Sequence, residues 1–159
     1  MNKSKLWKLI TAIIICQFAA AIGSFFTVPS IPTWYASINK PDFNPPNWVF
    51  GPVWTVLFIL MGISLYLVWE KGFEKKEVRF AVYVFFVQLV LNIAWSLLFF
   101  GLQNPFLAFA EIILLWVAIL FNIIFFYRIS KAAGIILVPY ILWVSVAALL
   151  NYSVWVLNP

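Results

Sequence analysis

Residues 80–127 read FAVYVFFVQLVLNIAWSLLFFGLQNPFLAFAEIILLWVAILFNIIFFY, a run of 48 residues whose one charge is Glu111. A helix crosses the ~30 Å hydrocarbon core of a bilayer with about 20 apolar residues. The run is too long for one such span and suits two. The break belongs at Gly101-Leu102-Gln103-Asn104-Pro105, where turn-forming residues precede a proline suited to start a helix.

The same reading extends to both ends of the chain. Lys3, Lys5 and Lys8 precede a charge-free run from Leu9 to Asn39; Lys40 and Asp42 interrupt it, and a second free run goes from Phe43 to Trp69. The polar segment Glu70–Arg79 follows, and beyond Arg128 and Lys131 the rest of the chain is uncharged. Five spans result, near 6–27, 47–69, 79–101, 105–127 and 134–156. The expected fold is an all-α membrane protein: one domain over 1–159, a five-transmembrane-helix bundle with a long Pro/Trp-rich loop between helices 1 and 2. No internal repeat is evident.

Of the ten Lys and Arg, nine fall at one end of these spans and only Lys40 at the other. By the positive-inside rule the N-terminus is cytoplasmic and the C-terminus outside. Basic residues at bilayer boundaries serve topology, which removes the nucleic-acid reading that a net charge of +5 invites. A signal peptide, with Ala19-Ala20-Ala21 at its cleavage site, is the rival reading of the N-terminus. The apolar run instead continues through Ile22, Phe25, Phe26 and Val28 to full spanning length.

Composition excludes whole classes of chemistry. Histidine is absent and Cys16 is the single cysteine. There is no imidazole base, no His-ligated metal, no thiolate cluster and no intrachain disulfide. Neither a metal nor a cofactor is expected. Glu111 is the one acid inside a span, where ionisable residues are functional suspects; a packing hydrogen bond made by its protonated form is the plainer expectation. The nine tryptophans invite a use of their own.

Six of the nine prolines lie in Val28–Trp54, VPSIPTWYASINKPDFNPPNWVFGPVW. Proline stiffens a loop, and Trp34, Tyr35, Ile38, Phe43 and Trp48 make this one apolar. A lid and an interfacial aromatic belt are both open readings. The segment, with Lys40-Pro41, Pro45-Pro46-Asn47-Trp48-Val49-Phe50-Gly51-Pro52-Val53-Trp54 and Met61-Gly62, resembles the TspO/MBR family, the tryptophan-rich sensory proteins related to the mitochondrial translocator protein. Leu91–Ser96, Phe99-Phe100-Gly101, Pro139–Trp143 and Leu150-Asn151-Tyr152 extend the likeness over nearly the whole chain. The resemblance implies a five-helix bundle, commonly a homodimer, with a pocket beneath the first loop. The implied ligands are porphyrins such as protoporphyrin IX and drugs of the isoquinoline carboxamide and benzodiazepine types. Light-dependent porphyrin breakdown is reported for some members. No basic residue follows Tyr152, so the cholesterol motif attributed to animal members is unsupported.

A porphyrin is a flat apolar ring with two carboxylates, suited by an aromatic cleft with a few polar groups at its mouth. Trp48, Gly51 and Trp54, introduced by Pro46, form one candidate wall, with Phe50 beside them and Trp34 and Tyr35 in the loop. Interface anchoring of Trp48 and lipid contact by Trp54 are the bland alternatives. Asn92, Trp95 and Phe99 share a face of span 3, and Asn92 could equally make an interhelical hydrogen bond, as could Asn122 and Asn151. Trp143, Ala147, Leu150 and Asn151 form a stripe on span 5. By resemblance, Ala110 and Leu114 of span 4 and Ala20 and Gly23 of span 1 also point at the ligand. Trp54 and Trp143 are the candidates for photochemistry, as indoles near an excited ring. Small residues in span 1, including Ala12, Cys16, Ala20 and Ser24, could form an internal seam or a dimer face. A porphyrin-binding sensory protein of a bacterial cell membrane is the expected function. A light-driven degrading enzyme, a transporter and a ligand-free structural membrane protein are the alternatives.

Overall fold

The computed structural model describes residues 3–159, and they are all-α. The elements are α1 (Lys3–Ser30), α2 (Trp34–Ser37), α3 (Asn47–Trp69), α4 (Lys76–Ser96), α5 (Pro105–Ile129), α6 (Lys131–Ile136) and α7 (Val138–Leu157). A π turn, Leu97–Gly101, continues α4. Taken with their continuations, five helices are long and apolar enough to cross a membrane: Lys3–Ser30, Asn47–Trp69, Lys76–Gly101, Pro105–Ile129 and Lys131–Leu157. The charge pattern therefore places every span within a few residues. The fifth is the one that differs in kind. It is a short helix and a long one meeting at Leu137, with Pro139 in the first turn of α7, where its missing N–H has no helical partner to lose.

The helix ends follow from local chemistry. The Asn104 side chain caps α5 by accepting from the Leu107 N–H at 3.0 Å, directly before Pro105. Gly72, just past α3, has φ +106°, a left-handed conformation that glycine adopts without penalty.

One end of the bundle gathers the starts of α1, α4 and α6 and the ends of α3 and α5, together with nearly all the basic residues; we call it the basic end. The other, where residues 31–46 connect α1 to α3, is the linker end. Towards the basic end the helices pack closely. Ala12, Cys16 and Ala19 are buried in the seam of α1. A Cβ on Gly62 would lie 2.7 Å from Ile13 Cα, so α3 approaches α1 backbone to backbone. Of the small residues of α1, Ala12 and Cys16 thus serve an internal seam, while Ala20 and Ser24 do not. Phe85 and Phe126 stack with ring centroids 5.7 Å apart between α4 and α5. At the boundary Lys8 Nζ donates to Glu70 at 2.9 Å, Lys5 stands 3.5 Å from the same carboxylate, and Lys8 lies 5.9 Å from the Trp69 ring.

Candidate functional site

Polar side chains at membrane depth must find partners inside the protein, and here they tie the helices together. Asn92 Nδ2 donates to the Tyr140 hydroxyl at 2.9 Å, which donates to Gln88 Oε1 at 2.9 Å. Trp95 Nε1 donates to Asn151 Oδ1 at 2.9 Å, and Asn151 Nδ2 to the Pro105 carbonyl at 2.8 Å. Asn122 Nδ2 donates to the Ala81 carbonyl. All three asparagines therefore make interhelical bonds. Glu111 does not behave as expected: it is buried, yet neither carboxylate oxygen has a hydrogen-bond partner, so the anticipated packing bond is not formed.

Towards the linker end the helices enclose a cavity of about 380 Å³, within the ~300–1,000 Å³ range of small-molecule sites. Of the candidates, Ala20, Gly23, Tyr35, Trp48, Phe50, Gly51, Trp54, Asn92, Trp95, Phe99, Ala147, Leu150 and Asn151 line it. Asn92 and Asn151 thus serve the wall and the helix contacts at once. The wall has a majority of apolar and aromatic groups and contains no Lys, Arg, Asp or Glu.

Five candidates lie off the wall. Ala110 and Leu114 are exposed, because α5 turns Ala108, Glu111, Ile112, Leu115 and Ile119 inward and these two lie roughly opposite. No residue of α5 reaches the cavity; the helix packs behind α4 and α7. Trp143 stands behind Phe50, ring centroids 6.0 Å apart, with its N–H buried and unpartnered. Trp34 packs edge-on against Phe99 at 5.4 Å, and Pro46 is the exposed residue that precedes α3.

The wall also holds residues that the sequence reading passed over. Ser24, Thr27, Val28 and Ile31 extend it along α1, Asn47, Thr55 and Phe58 along α3, and Ser96, Phe100 and Val154 complete it. Phe100 owes its place to the π turn. The wider turn brings both Phe99 and Phe100 to the buried side. Ser96 is one helical turn beyond Asn92 and could have been found by continuing that stripe.

Residues 31–46 close the linker end. Tyr35 is 7% exposed, lies against Phe99 and Phe100, and donates its hydroxyl to Asn44 Oδ1 at 2.9 Å. Burial raises the Tyr35 pKa above the ordinary 10.0, with the Asn44 hydrogen bond opposing. Lys40 folds back, donating to the carbonyls of Tyr35 and Ile38 at 2.6 and 2.8 Å. Asn39 and Asn158 bond reciprocally, Asn39 N–H to Asn158 Oδ1 and Asn158 Nδ2 to the Asn39 carbonyl, each at 2.9 Å.

This arrangement has known relatives, and the TspO/MBR family model matches residues 12–156. The chain belongs to the TspO/MBR family. TspO/MBR relatives that it resembles include the tryptophan-rich protein TspO of Archaeoglobus fulgidus, 48% identical over 99% of both chains. The human translocator protein is 39% identical over 84% of this chain and 80% of its own length. The tryptophan-rich sensory protein of Cereibacter sphaeroides is 30% identical over 91% of both. Family membership and five apolar helices make this a multi-pass membrane protein.

Proposed function

We propose that this chain is a membrane sensory protein that binds flat, amphipathic tetrapyrroles, protoporphyrin IX foremost, in the cavity at the linker end. The observation that carries the reading is the wall itself, with indole and phenyl faces on α3, α4 and the π turn and a few neutral polar groups. Aromatic faces favour a flat π-ligand by offset or edge-on contact. With no cationic side chain on the wall, the two carboxylates of a porphyrin point out through the mouth, where Asn47 and Trp48 stand. The same wall suits isoquinoline carboxamides and benzodiazepines, which are neutral and aromatic. The relatives' names, sensory protein and translocator protein, support a sensory or translocator role in the membrane. The setting proposed is a bacterial cell membrane with the basic end cytoplasmic, on the nine-to-one distribution of Lys and Arg. The protein acts as a homodimer in this reading.

The test is a titration of purified protein with protoporphyrin IX in darkness. Saturable binding displaced by an isoquinoline carboxamide is expected; no saturation removes the reading. Light-driven degradation is the second reading, favoured by Trp54 on the wall, with Trp143 one ring behind at Phe50. A discrete product formed only in light and lost in Trp54→Phe, with dark binding kept, supports it. Bleaching at the protein-free rate sinks it. Liposome flux tests the transporter alternative.

A further inference from the structure

We propose that the cavity is reached sideways from the bilayer, through a gap between α1 and α3, and that its ligands are molecules already dissolved in the membrane. The proposal rests on reading the cavity as a ligand site. Six lining residues are exposed on the outer surface of the bundle: Asn47 and Trp48 in the first turn of α3, at the linker end, and, further inside, Ser24 and Val28 on α1 and Gly51 and Thr55 on α3. A residue that does both marks an opening. These two helices meet backbone to backbone where Gly62 faces Ile13, and the Gln17 side chain still reaches across to the Thr55 carbonyl at 3.3 Å. Further towards the linker end they part: a Cβ on Gly51 would find nothing within 4 Å.

The opening faces lipid, not water. At 1.5 Å per residue, Ser24 lies ~9 Å inside the linker end of α1 and Thr55 ~12 Å inside that of α3. Both depths fall within helices long enough to span the ~30 Å core. The rim carries few polar groups. Thr55 Oγ1 donates to the Gly51 carbonyl at 2.9 Å and, beside the rim, Thr27 Oγ1 to the Gly23 carbonyl at 3.0 Å, which leaves, among the described residues, the Ser24 hydroxyl as the free polar group of the opening. The linker end is meanwhile partly covered by residues 31–46, with Asn47 and Trp48 exposed beside them. Tyr35 is wedged on the π-turn phenylalanines, and the Asn39–Asn158 pair fastens residues 31–46 to the end of α7. A ligand's concentration at the doorway is then set by its partition into the leaflet, which selects amphiphiles over water-soluble molecules.

The route is testable without any ligand. In liposome-reconstituted Cys16→Ala protein, Ala147→Cys puts a thiol on the cavity wall, and its labelling rate is followed with an apolar and with a charged maleimide. The apolar reagent should label at least ~10-fold faster, and Gly51→Phe or Ser24→Phe, blocking the doorway from either helix, should slow it by about tenfold. Asn158→Ala should leave the apolar rate unchanged. The inference is overturned if the charged reagent labels as fast as the apolar one. It is overturned equally if neither reagent labels, or if neither blocking variant slows the apolar reagent. Two different blocking positions guard against misfolding of one. Dark titration with protoporphyrin IX is read separately. Membrane-route labelling in a protein that binds no porphyrin refutes the ligand reading and leaves the doorway standing.

Discussion

The two ends of the bundle are built from the same five helices and behave as different materials. Towards the basic end, Gly62, Ala12 and Cys16 let α1 and α3 close on each other, and Phe85 and Phe126 fill the space between α4 and α5. Towards the linker end those helices carry Trp54, Trp95 and Phe99 on the wall of a cavity. In a membrane no hydrophobic force draws helices together, so close packing of small residues supplies much of the contact energy. Small residues at one end therefore hold the fold, and large rings at the other end line an open space. One end can be shaped for a ligand because the other does not depend on it.

Two glycines of α3 give the strongest way to break this contrast. Gly62→Ala drives a Cβ to 2.7 Å from Ile13 Cα, a clash with backbone that cannot rotate away. It should destabilise the protein by about 1–3 kcal/mol. Gly51→Ala, with nothing within 4 Å of the new Cβ, should be neutral or stabilising by up to ~1 kcal/mol. Unfolding of both variants in detergent, followed by circular dichroism, measures the pair. Equal effects would mean that the two ends are not packed differently.

The next test addresses the cavity end alone. Ala147, on the wall, is the small residue between bulky neighbours, and Ala147→Thr adds volume and a hydroxyl inside the cavity. Affinity for protoporphyrin IX should fall about tenfold, ~1.4 kcal/mol, while the unfolding midpoint changes little. Dark titration reads the first and circular dichroism the second. Unchanged affinity would place the ligand elsewhere.

How far this contrast was visible beforehand depends on the kind of signal. The helices were legible because charges cannot be hidden in lipid, so Glu70–Arg79, Arg128 and Lys131 mark the boundaries directly. The face of α4 with Asn92, Trp95 and Phe99 was legible from helical periodicity. The α1 side of the wall was not: Ala20 and Gly23 were named by resemblance and line it, while Ser24, Thr27, Val28 and Ile31 were not named. Small residues run the length of that helix, and nothing in the pattern says that Ala12 and Cys16 close a seam while Ala20 and Ser24 border a void. That depends on how far α3 stands away, a property of the partner helix. Phe100 escaped because periodicity assumes 3.6 residues per turn and the π turn does not obey it. Ala110 and Leu114 were carried over by resemblance, and α5 turns them to the outside of the bundle.

A weaker effect should appear at the closing segment. The folded state raises the pKa of Tyr35, so it binds that proton more tightly than the unfolded chain does. Its contribution is complete below the ordinary value of 10.0 and is lost as pH climbs from there through the raised value of the folded state. Alkaline pH should therefore loosen the linker end first. Ultraviolet difference titration of wild type against Tyr35→Phe isolates this group. A tyrosine that ionises at or below the ordinary value would show that the segment does not stay closed over the cavity.

The smallest effect belongs to the basic end, with the opposite sign. Glu70 has its pKa lowered, first by the hydrogen bond from Lys8 and further by the charges of Lys8 and Lys5. A carboxyl lowered in the folded state contributes stability above its unfolded value of about 4.5 and loses it as pH falls below. The group sits at the water boundary, where ion pairs are screened and add little. Glu70→Gln should thus leave the unfolding midpoint near that of wild type at neutral pH and remove a small acid-side dependence. It should also make the remaining stability less sensitive to salt. A large loss at neutral pH would mean that α1 and α3 are held at this end by charge and not by the Gly62–Ile13 contact, and the packing account of the basic end would fail with it.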